Sequence, residues 1–488
     1  MTADDEFLCS VDTRAYRGNH VAMPTVDAPR EVVPVLLVTG GDVVTMDEER
    51  RVLENTSVAV ADGIIVALGP AREVRERFPG AQELDATGTV VIPGLIDAHQ
   101  HTTVDPLVRS LIPDDIPSHA AIYNWAVPLH QHADGDDDEL AATITAVDCL
   151  TRGVTTVLEP GTVAHPLRVA QGLRKAGIRG RVGGWGWDAQ GLPFSAPAGE
   201  VLAAQRETVA ALSDPSGLVT GWVTLVGHDL VSDELFQGAL KLAEELDTTV
   251  TWHLSPGPDD ARSYLRRTGV RPVEHLLRIG ALGPRLLIGH GVWLEGAELE
   301  ALLSTGTALA ACPGAYLRLG QGVGRAGRYA EFVHRGGRLA LGCDSHNAGD
   351  APDVLRAAQL LAGLERDRGT EPPLRAADVL ALATVSGAEA IGAGQELGAI
   401  RVGFAGDLVL LDTSRPGWIP RATGFPALAR QLVWGAVSDT VRDVVVAGRV
   451  VVRDRRPLFV DLPELRVHAA ARQGALLSRA GMSISEGS

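Results

Sequence analysis

His99 and His101 have the types and spacing that could do chemistry. They follow the run Val90-Val91-Ile92-Pro93-Gly94-Leu95-Ile96-Asp97-Ala98 and are separated only by Gln100. A β-branched run reads as a buried strand, and alternate residues of a strand face one side, so both imidazoles leave its end together. Such a pair suits a metal ion better than an apolar core. Spelling alone does not decide this. His130-Gln131-His132 has the same spelling, but it follows a helical stretch, precedes the acidic helix start Asp136-Asp137-Asp138-Glu139, and reads as surface or lid residues. The pair at 99 and 101 therefore needs partners from elsewhere.

The chain supplies candidates wherever a short apolar run ends. Strand-like runs at 90–97, 153–159, 178–186, 218–226, 248–253, 285–289, 307–312 and 338–343 alternate with helical stretches such as 233–246, 295–304 and 329–335. That alternation predicts an α/β fold, a (β/α)8 TIM barrel with its chemistry at the carboxyl ends of the strands. At those ends stand His99, His101, Glu159, His228, Asp229, His253, His290 and Asp344. Three imidazoles and a carboxylate around an open position suit one divalent metal ion, zinc first, with iron or manganese as alternatives. Metal binding brings the pKa of water from 15.7 to about 7, removing about 12 kcal/mol of deprotonation cost. A carboxylate beside that water can pass its proton to a leaving nitrogen, and an imidazole can polarise the group under attack.

The remaining segments frame this barrel. Residues 1–34 are polar, contain proline and read as an extended arm. Short β runs at 35–38, 43–46, 57–60 and 64–67, punctuated by Gly40-Gly41 and Asp62-Gly63, open a small β domain over 35–91. Similar runs at 406–412 and 441–452 return over 396–460, so both chain ends are expected to build one β-sandwich with the barrel, 92–395, inserted between them. Residues 105–136 are too long for one loop and read as a helical insertion over the barrel mouth, carrying Trp125. Residues 461–488 read as a C-terminal helix and tail. Trp125, Trp185, Trp187 and Tyr316 are candidates to line the pocket, and Glu159 is a further candidate for substrate contact.

A formal charge of −17 opposes phosphate backbones and anionic lipid, which argues against nucleic acid and membrane and for a small neutral or cationic ligand. The sequence has no apolar run near the ~20 residues of a membrane span, and its acidic start lacks the basic region of a signal peptide, so a cytoplasmic location is expected. Cys9, Cys149, Cys312 and Cys343 show no CxxC spacing; Cys312 and Cys343 read as inert core thiols.

These motifs together resemble the amidohydrolase superfamily, in the branch of cytosine and guanine deaminases and of triazine and chlorohydrolase-like enzymes. The resemblance covers roughly 35–452. It rests on Pro93-Gly94-Leu95-Ile96-Asp97-Ala98-His99-Gln100-His101, Trp252-His253-Leu254, Gly289-His290-Gly291-Val292-Trp293-Leu294, Cys312-Pro313, Leu341-Gly342-Cys343-Asp344-Ser345 and the late Gly398-Ala399-Ile400-Arg401-Val402-Gly403-Phe404-Ala405-Gly406-Asp407. It implies His99, His101 and His253 as metal ligands, Asp344 as ligand and base, His290 as the group that orients or polarises substrate, His228 as a substrate contact, and Asp97 as a brace for the first-strand ligands. It also implies a homo-oligomer, a dimer or higher. Two positions depart from the pattern. Pro256 stands three residues after His253, where deaminases of this branch carry a proton-donating glutamate, and Tyr316 stands where a small polar residue is common. Asp259, Asp260, Glu159 and His346 are the groups that could take the glutamate's place. The expected activity is metal-dependent hydrolysis of a C–N bond of amide, urea, carbamate or cyclic amidine type in a small heterocyclic substrate. Deamination of an aminated purine, pyrimidine or triazine is the alternative, and an inactive ligand-binding barrel is the non-enzymatic one.

Overall fold

The computed structural model describes residues 34–213, 217–435 and 438–482. The arm predicted over 1–34 lies outside them except for Pro34, as does the tail beyond 482. In chain order the first strands are β1 (Leu36–Val44), β2 (Val52–Ala61), β3 (Ile64–Pro70), β4 (Gln82–Asp85) and β5 (Thr89–Pro93). A parallel series follows: β6 (Leu95–Asp97), β7 (Val154–Leu158), β8 (Arg179–Val182), β9 (Val219–Gly221), β10 (Val223–Gly227), β11 (Val250–Leu254), β12 (Leu286–His290), β13 (Ala308–Ala311) and β14 (Leu339–Leu341). The last four are β15 (Leu408–Asp412), β16 (Val441–Val446), β17 (Arg449–Arg453) and β18 (Arg456–Pro457).

The two chain ends do meet in one sheet. Its nine strands run β18-β17-β16-β15-β5-β1-β2-β3, with β4 paired to β1, so the hydrogen bonds follow a single connected sheet. Asp62 and Gly63, both at positive φ, make the tight β2–β3 turn. Gly40-Gly41 does not end a strand as expected. β1 runs through it with a register shift between Val38 and Gly41, a bulge rather than a turn.

The run predicted as one strand over 90–97 is two. β5 pairs with β15 and β1, whereas β6 pairs with β7. The chain steps between the sheets at Gly94, whose N–H donates to the Asp407 carbonyl (2.9 Å), while Leu95 N–H donates to the Gly153 carbonyl (3.1 Å). A Cβ on residue 94 would lie 2.0 Å from Thr155 Oγ1, so only glycine lets the backbone pass.

The parallel strands form two hydrogen-bonded runs, β6-β7-β8-β9 and β10-β11-β12-β13-β14. Trp222 alone separates β9 from β10, and Ala98 N–H donates to the Leu341 carbonyl at 2.9 Å, joining the end of β6 to β14. β7, β11 and β12 are buried along their whole length, which is why they read as unbroken apolar runs. Helices Asp233–Glu245, Gly296–Thr305 and Tyr329–His334 agree with the expected stretches within two residues at each end.

The 105–136 segment is a series of short helical turns, Asp105–Val108, Ser118–Ala120, Ala121–Ala126 and Val127–His132. The C-terminal helix Leu462–Arg479 ties it down. Leu476 and Leu477 pack against Val104, Val108 and Leu129, and Gln473 Nε2 donates to the Leu107 carbonyl at 2.6 Å. Arg472 Nε reaches the buried Asp137 at 2.7 Å. Among the described residues no helix is long and apolar enough to cross a membrane.

Candidate metal centre and cavity

The parallel strands deliver their terminal side chains to one place. His253, next to last in β11, donates from Nδ1 to the Val226 carbonyl at 2.8 Å, which turns the Nε2 lone pair inward. His101 bonds Thr162 Oγ1 through Nδ1 at 2.6 Å, leaving its Nε2 3.4 Å from His253 Nε2 and 3.5 Å from Asp344 Oδ1. His99 is fully buried, and neither of its ring nitrogens finds a hydrogen-bond partner among the described residues. Its ring centroid lies 4.8 Å from those of His253 and His290.

These positions test whether a metal ion fits. Ligand atoms bonded tetrahedrally at about 2.0–2.2 Å are about 3.3–3.6 Å apart, the spacing from His101 Nε2 to His253 Nε2 and to Asp344 Oδ1. Ligand atoms of His99, His101 and His253 all lie within 4.8 Å of one another, as do those of His99, His290, Cys312 and Asp344. Two orphaned nitrogens on a buried imidazole make no sense as core packing, because each unpaired buried polar group costs about 1–3 kcal/mol. Burial, reinforced by the neighbouring imidazoles, pushes His99, His101 and His290 well below their ordinary value, and His253 to about 3. Neutral imidazoles are the form that binds a cation. The donor set therefore fits a divalent ion.

Asp344 takes a left-handed backbone (φ 67°), and its Oδ1 accepts from Ser345 N–H at 2.8 Å. Burial pushes its carboxyl up to about 7. Asp97 accepts from the backbone N–H groups of His99 (3.2 Å) and Cys343 (3.1 Å), tying the first-strand ligand segment to the segment that carries Asp344. Cys149, Cys312 and Cys343 are buried and unpaired, and burial raises each thiol well above its ordinary value.

A cavity of ≈ 170 Å³ opens beside these groups. His101, His253, His290 and Asp344 line it on one side, and Trp185, Trp187, Tyr123 and Ile122 form much of its apolar wall. His228 lines it too, and its Nδ1 lies 2.9 Å from Asp260 Oδ2. Burial alone would lower His228, but the Asp260 carboxylate outweighs it and holds the imidazole above its ordinary value.

Three expected substrate contacts are not on this wall. The Tyr316 hydroxyl is buried and accepts from Cys312 N–H at 2.8 Å, so the ring packs behind His290, 5.7 Å from it. Trp125 is not among the lining residues, and the same helical turn offers Tyr123 and Ala126 instead. Glu159 is fully buried, with its oxygens accepting from Thr102 and from the Gly161 and Thr162 backbone, which makes it a brace for the loop around His101. Conversely, His130 is buried and lines the cavity, while His132 is exposed. Asp105 and Asn347 also line the cavity, joined by a 3.1 Å hydrogen bond. No local spacing marks them, because the insertion and the strand ends meet only in the folded chain.

A family model described as amidohydrolase matches residues 90–451. The chain is 30% identical over 445 residues to a 5-methylthioadenosine/S-adenosylhomocysteine deaminase of Syntrophobacter fumaroxidans, across 90% of this chain and 98% of the relative. It is 26% identical over 433 residues to a 5'-deoxyadenosine deaminase of Methanopyrus kandleri, across 88% and 96% of the two chains. An adenosine deaminase of Xanthomonas campestris with bound zinc superposes with a TM-score of 0.83 at 26% identity, covering 91% of this chain and 98% of that one. A zinc-complexed atrazine chlorohydrolase of Arthrobacter aurescens, at 23% identity, shares the fold, with a TM-score of 0.81 over 90% of this chain and 100% of that one.

Proposed function

The chain belongs to the amidohydrolase family, and from that premise we propose that it hydrolyses an exocyclic C–N bond of a small nitrogen heterocycle, releasing ammonia or an amine. The observation that carries this reading is the approach of His253 Nε2 and Asp344 Oδ1 to His101 Nε2, 3.4 and 3.5 Å away, beside the two unpartnered nitrogens of His99 at the edge of an aromatic-walled cavity. The deaminase relatives support an aminated purine first, with an aminated pyrimidine or triazine as the wider class. Hydrolysis of an amide, urea, carbamate or cyclic amidine is the second reading, favoured by Pro256, which stands on the cavity wall without a proton to give.

In this reading His99, His101, His253 and Asp344 hold one divalent ion, zinc first and iron or manganese next. Such an ion, when bound, lowers the pKa of water from 15.7 to about 7. Asp344 takes a proton from the attacking water. His290, at the end of β12 with its Nδ1 unpartnered among the described residues, steadies the atom under attack. His228 and Trp187 contact the substrate. The two parallel runs are read as a closed barrel, in which β9 and β10 are one strand interrupted at Trp222 and β14 returns to β6. The nine-stranded sheet of 35–91 and 396–460 is read as the smaller domain that carries it. A homo-oligomer belongs to the same reading, and light scattering that returned the mass of one chain would remove it.

The test is metal analysis of the purified protein together with amine release on a panel of aminated purines, pyrimidines and triazines. Stoichiometric metal and release from at least one member are expected. Protein without metal would sink the proposal.

A further inference from the structure

A hydrolase that expels nitrogen must protonate it, and the usual carboxyl is missing here at Pro256. The alternatives named from sequence can be weighed by position. The Asp259 carboxylate is 78% exposed and paired with Arg262. Glu159 is taken up by Thr102, Gly161 and Thr162. His346 is fully buried beside Asp148, off the cavity wall. Asp260 differs from all three. It sits in the first turn of helix Pro258–Thr268, and its Oδ2 accepts from Ser255 N–H at 2.6 Å and from His228 Nδ1–H at 2.9 Å.

That second bond fixes which ring nitrogen faces the carboxylate. With one hydrogen directed at Asp260, the Nε2 edge of His228 is left for the cavity that His228 lines. The backbone is fixed as well. His228 takes φ 55°, a left-handed conformation uncommon outside glycine, and its carbonyl accepts from the Tyr264 hydroxyl at 3.0 Å. A ring held at its nitrogen and at its backbone is pre-organised to deliver a hydrogen in one direction.

We propose that the Asp260–His228 pair replaces the missing carboxyl, the His228 imidazolium donating its Nε2 hydrogen to the leaving nitrogen and Asp260 acting as the positioning residue that holds the Nδ1–H, orients the ring and balances its charge. This rests on the hydrolase reading above. The balance closes without a further reactant. The water oxygen forms the new C–O bond, and Asp344 takes one of its protons. The C–N electron pair departs with the nitrogen, which receives the proton from His228. The proton on Asp344 equals the one His228 regains before the next turnover.

Leaving-group dependence tests it. The full-length, metal-loaded enzyme is assayed on matched heterocycles that differ only in carrying an alkylamine or a chloride at the reacting carbon. An amine needs a proton to leave and chloride does not. In His228→Gln and Asp260→Asn the amine-to-chloride ratio of kcat/KM is expected to fall about a hundredfold, with metal content and melting midpoint at wild-type values. Asp259→Asn, the exposed neighbour, keeps the wild-type ratio. Should Asp260→Asn fail to fold, His228→Gln carries the comparison alone. Equal losses on both leaving groups would overturn the pair and leave Asp344 serving both steps. A wild type that turns over neither series would instead remove the hydrolase reading, and the pair with it.

Discussion

Glu159→Gln probes how the strand-end ligands are aimed. The Glu159 side chain is fully buried. One oxygen accepts from Thr102 N–H (2.5 Å) and Oγ1 (2.8 Å), the other from the N–H groups of Gly161 (3.0 Å) and Thr162 (3.3 Å). Burial pushes this carboxyl up to about 7, against the pull of those donors. Glutamine keeps the shape but turns one oxygen into an NH2 that cannot accept. If the NH2 faces Gly161 and Thr162, two backbone N–H groups lose their acceptor. If it faces Thr102, the hydroxyl can rotate to accept from it and only Thr102 N–H is stranded, so this orientation wins. One stranded N–H costs about 1–3 kcal/mol. Thr102 adjoins His101, and Thr162 Oγ1 holds His101 Nδ1 at 2.6 Å, so the cost falls on the loop that directs His101 Nε2. If all of it opposes convergence of the ligands, metal affinity drops about 5- to 150-fold, since about 1.4 kcal/mol is tenfold. Loss of a ligand's supporting partner commonly costs about 10–100-fold, within the same range. Chelator competition read by metal analysis, beside a thermal melt, measures both consequences. Unchanged affinity and an unchanged melting midpoint would refute the brace. A lower midpoint with wild-type affinity would mean that the loop is braced independently of His101.

Asp344→Asn should lower kcat by about 10²–10⁴-fold and leave the near-ultraviolet circular dichroism intact; full activity would remove the base. Gly289→Ala should cost bound metal, because its Cβ would stand 2.5 Å from His99 Cε1 and 2.7 Å from Nδ1, whereas Gly283→Ala, with open space around it, should keep wild-type metal content. Arg472→Ala removes a 2.7 Å bond to the buried Asp137 carboxylate and should destabilise the protein by about 1–2 kcal/mol in denaturant titration. His165 bonds Asp138 at 2.8 Å, and that bond raises the imidazole above its ordinary value. A raised folded-state value stabilises the protein fully below the unfolded value of 6.5 and fades as pH rises through the folded value, so His165→Asn should shrink the fall in melting midpoint between about pH 6 and about pH 8.

What is legible in the sequence follows from what local spacing can encode. A strand buried on both faces must be apolar throughout, and the residue where that stops marks its end, so His253 and His290 can be placed before any contact is known. Long-range contacts leave no such mark. The step at Gly94 depends on Thr155, in a strand distant along the chain, and the run 90–97 therefore reads as one strand when it serves two sheets. The same limit governs polar residues at strand ends. Glu159 and His253 look equivalent in the sequence, yet one is enclosed by donors and the other opens on a cavity, because the loops that surround them come from elsewhere. Pro256 is the informative exception, since a missing functional group can be read locally even though its replacement cannot. His228 and Asp260 lie 32 residues apart, on a strand-end turn and a helix start that only the parallel pairing of β10 with β11 brings together. A change that shifted this pairing without touching either side chain should disable the same proton path, which makes register at Gly227, paired with His253, as consequential for the chemistry as the donors themselves.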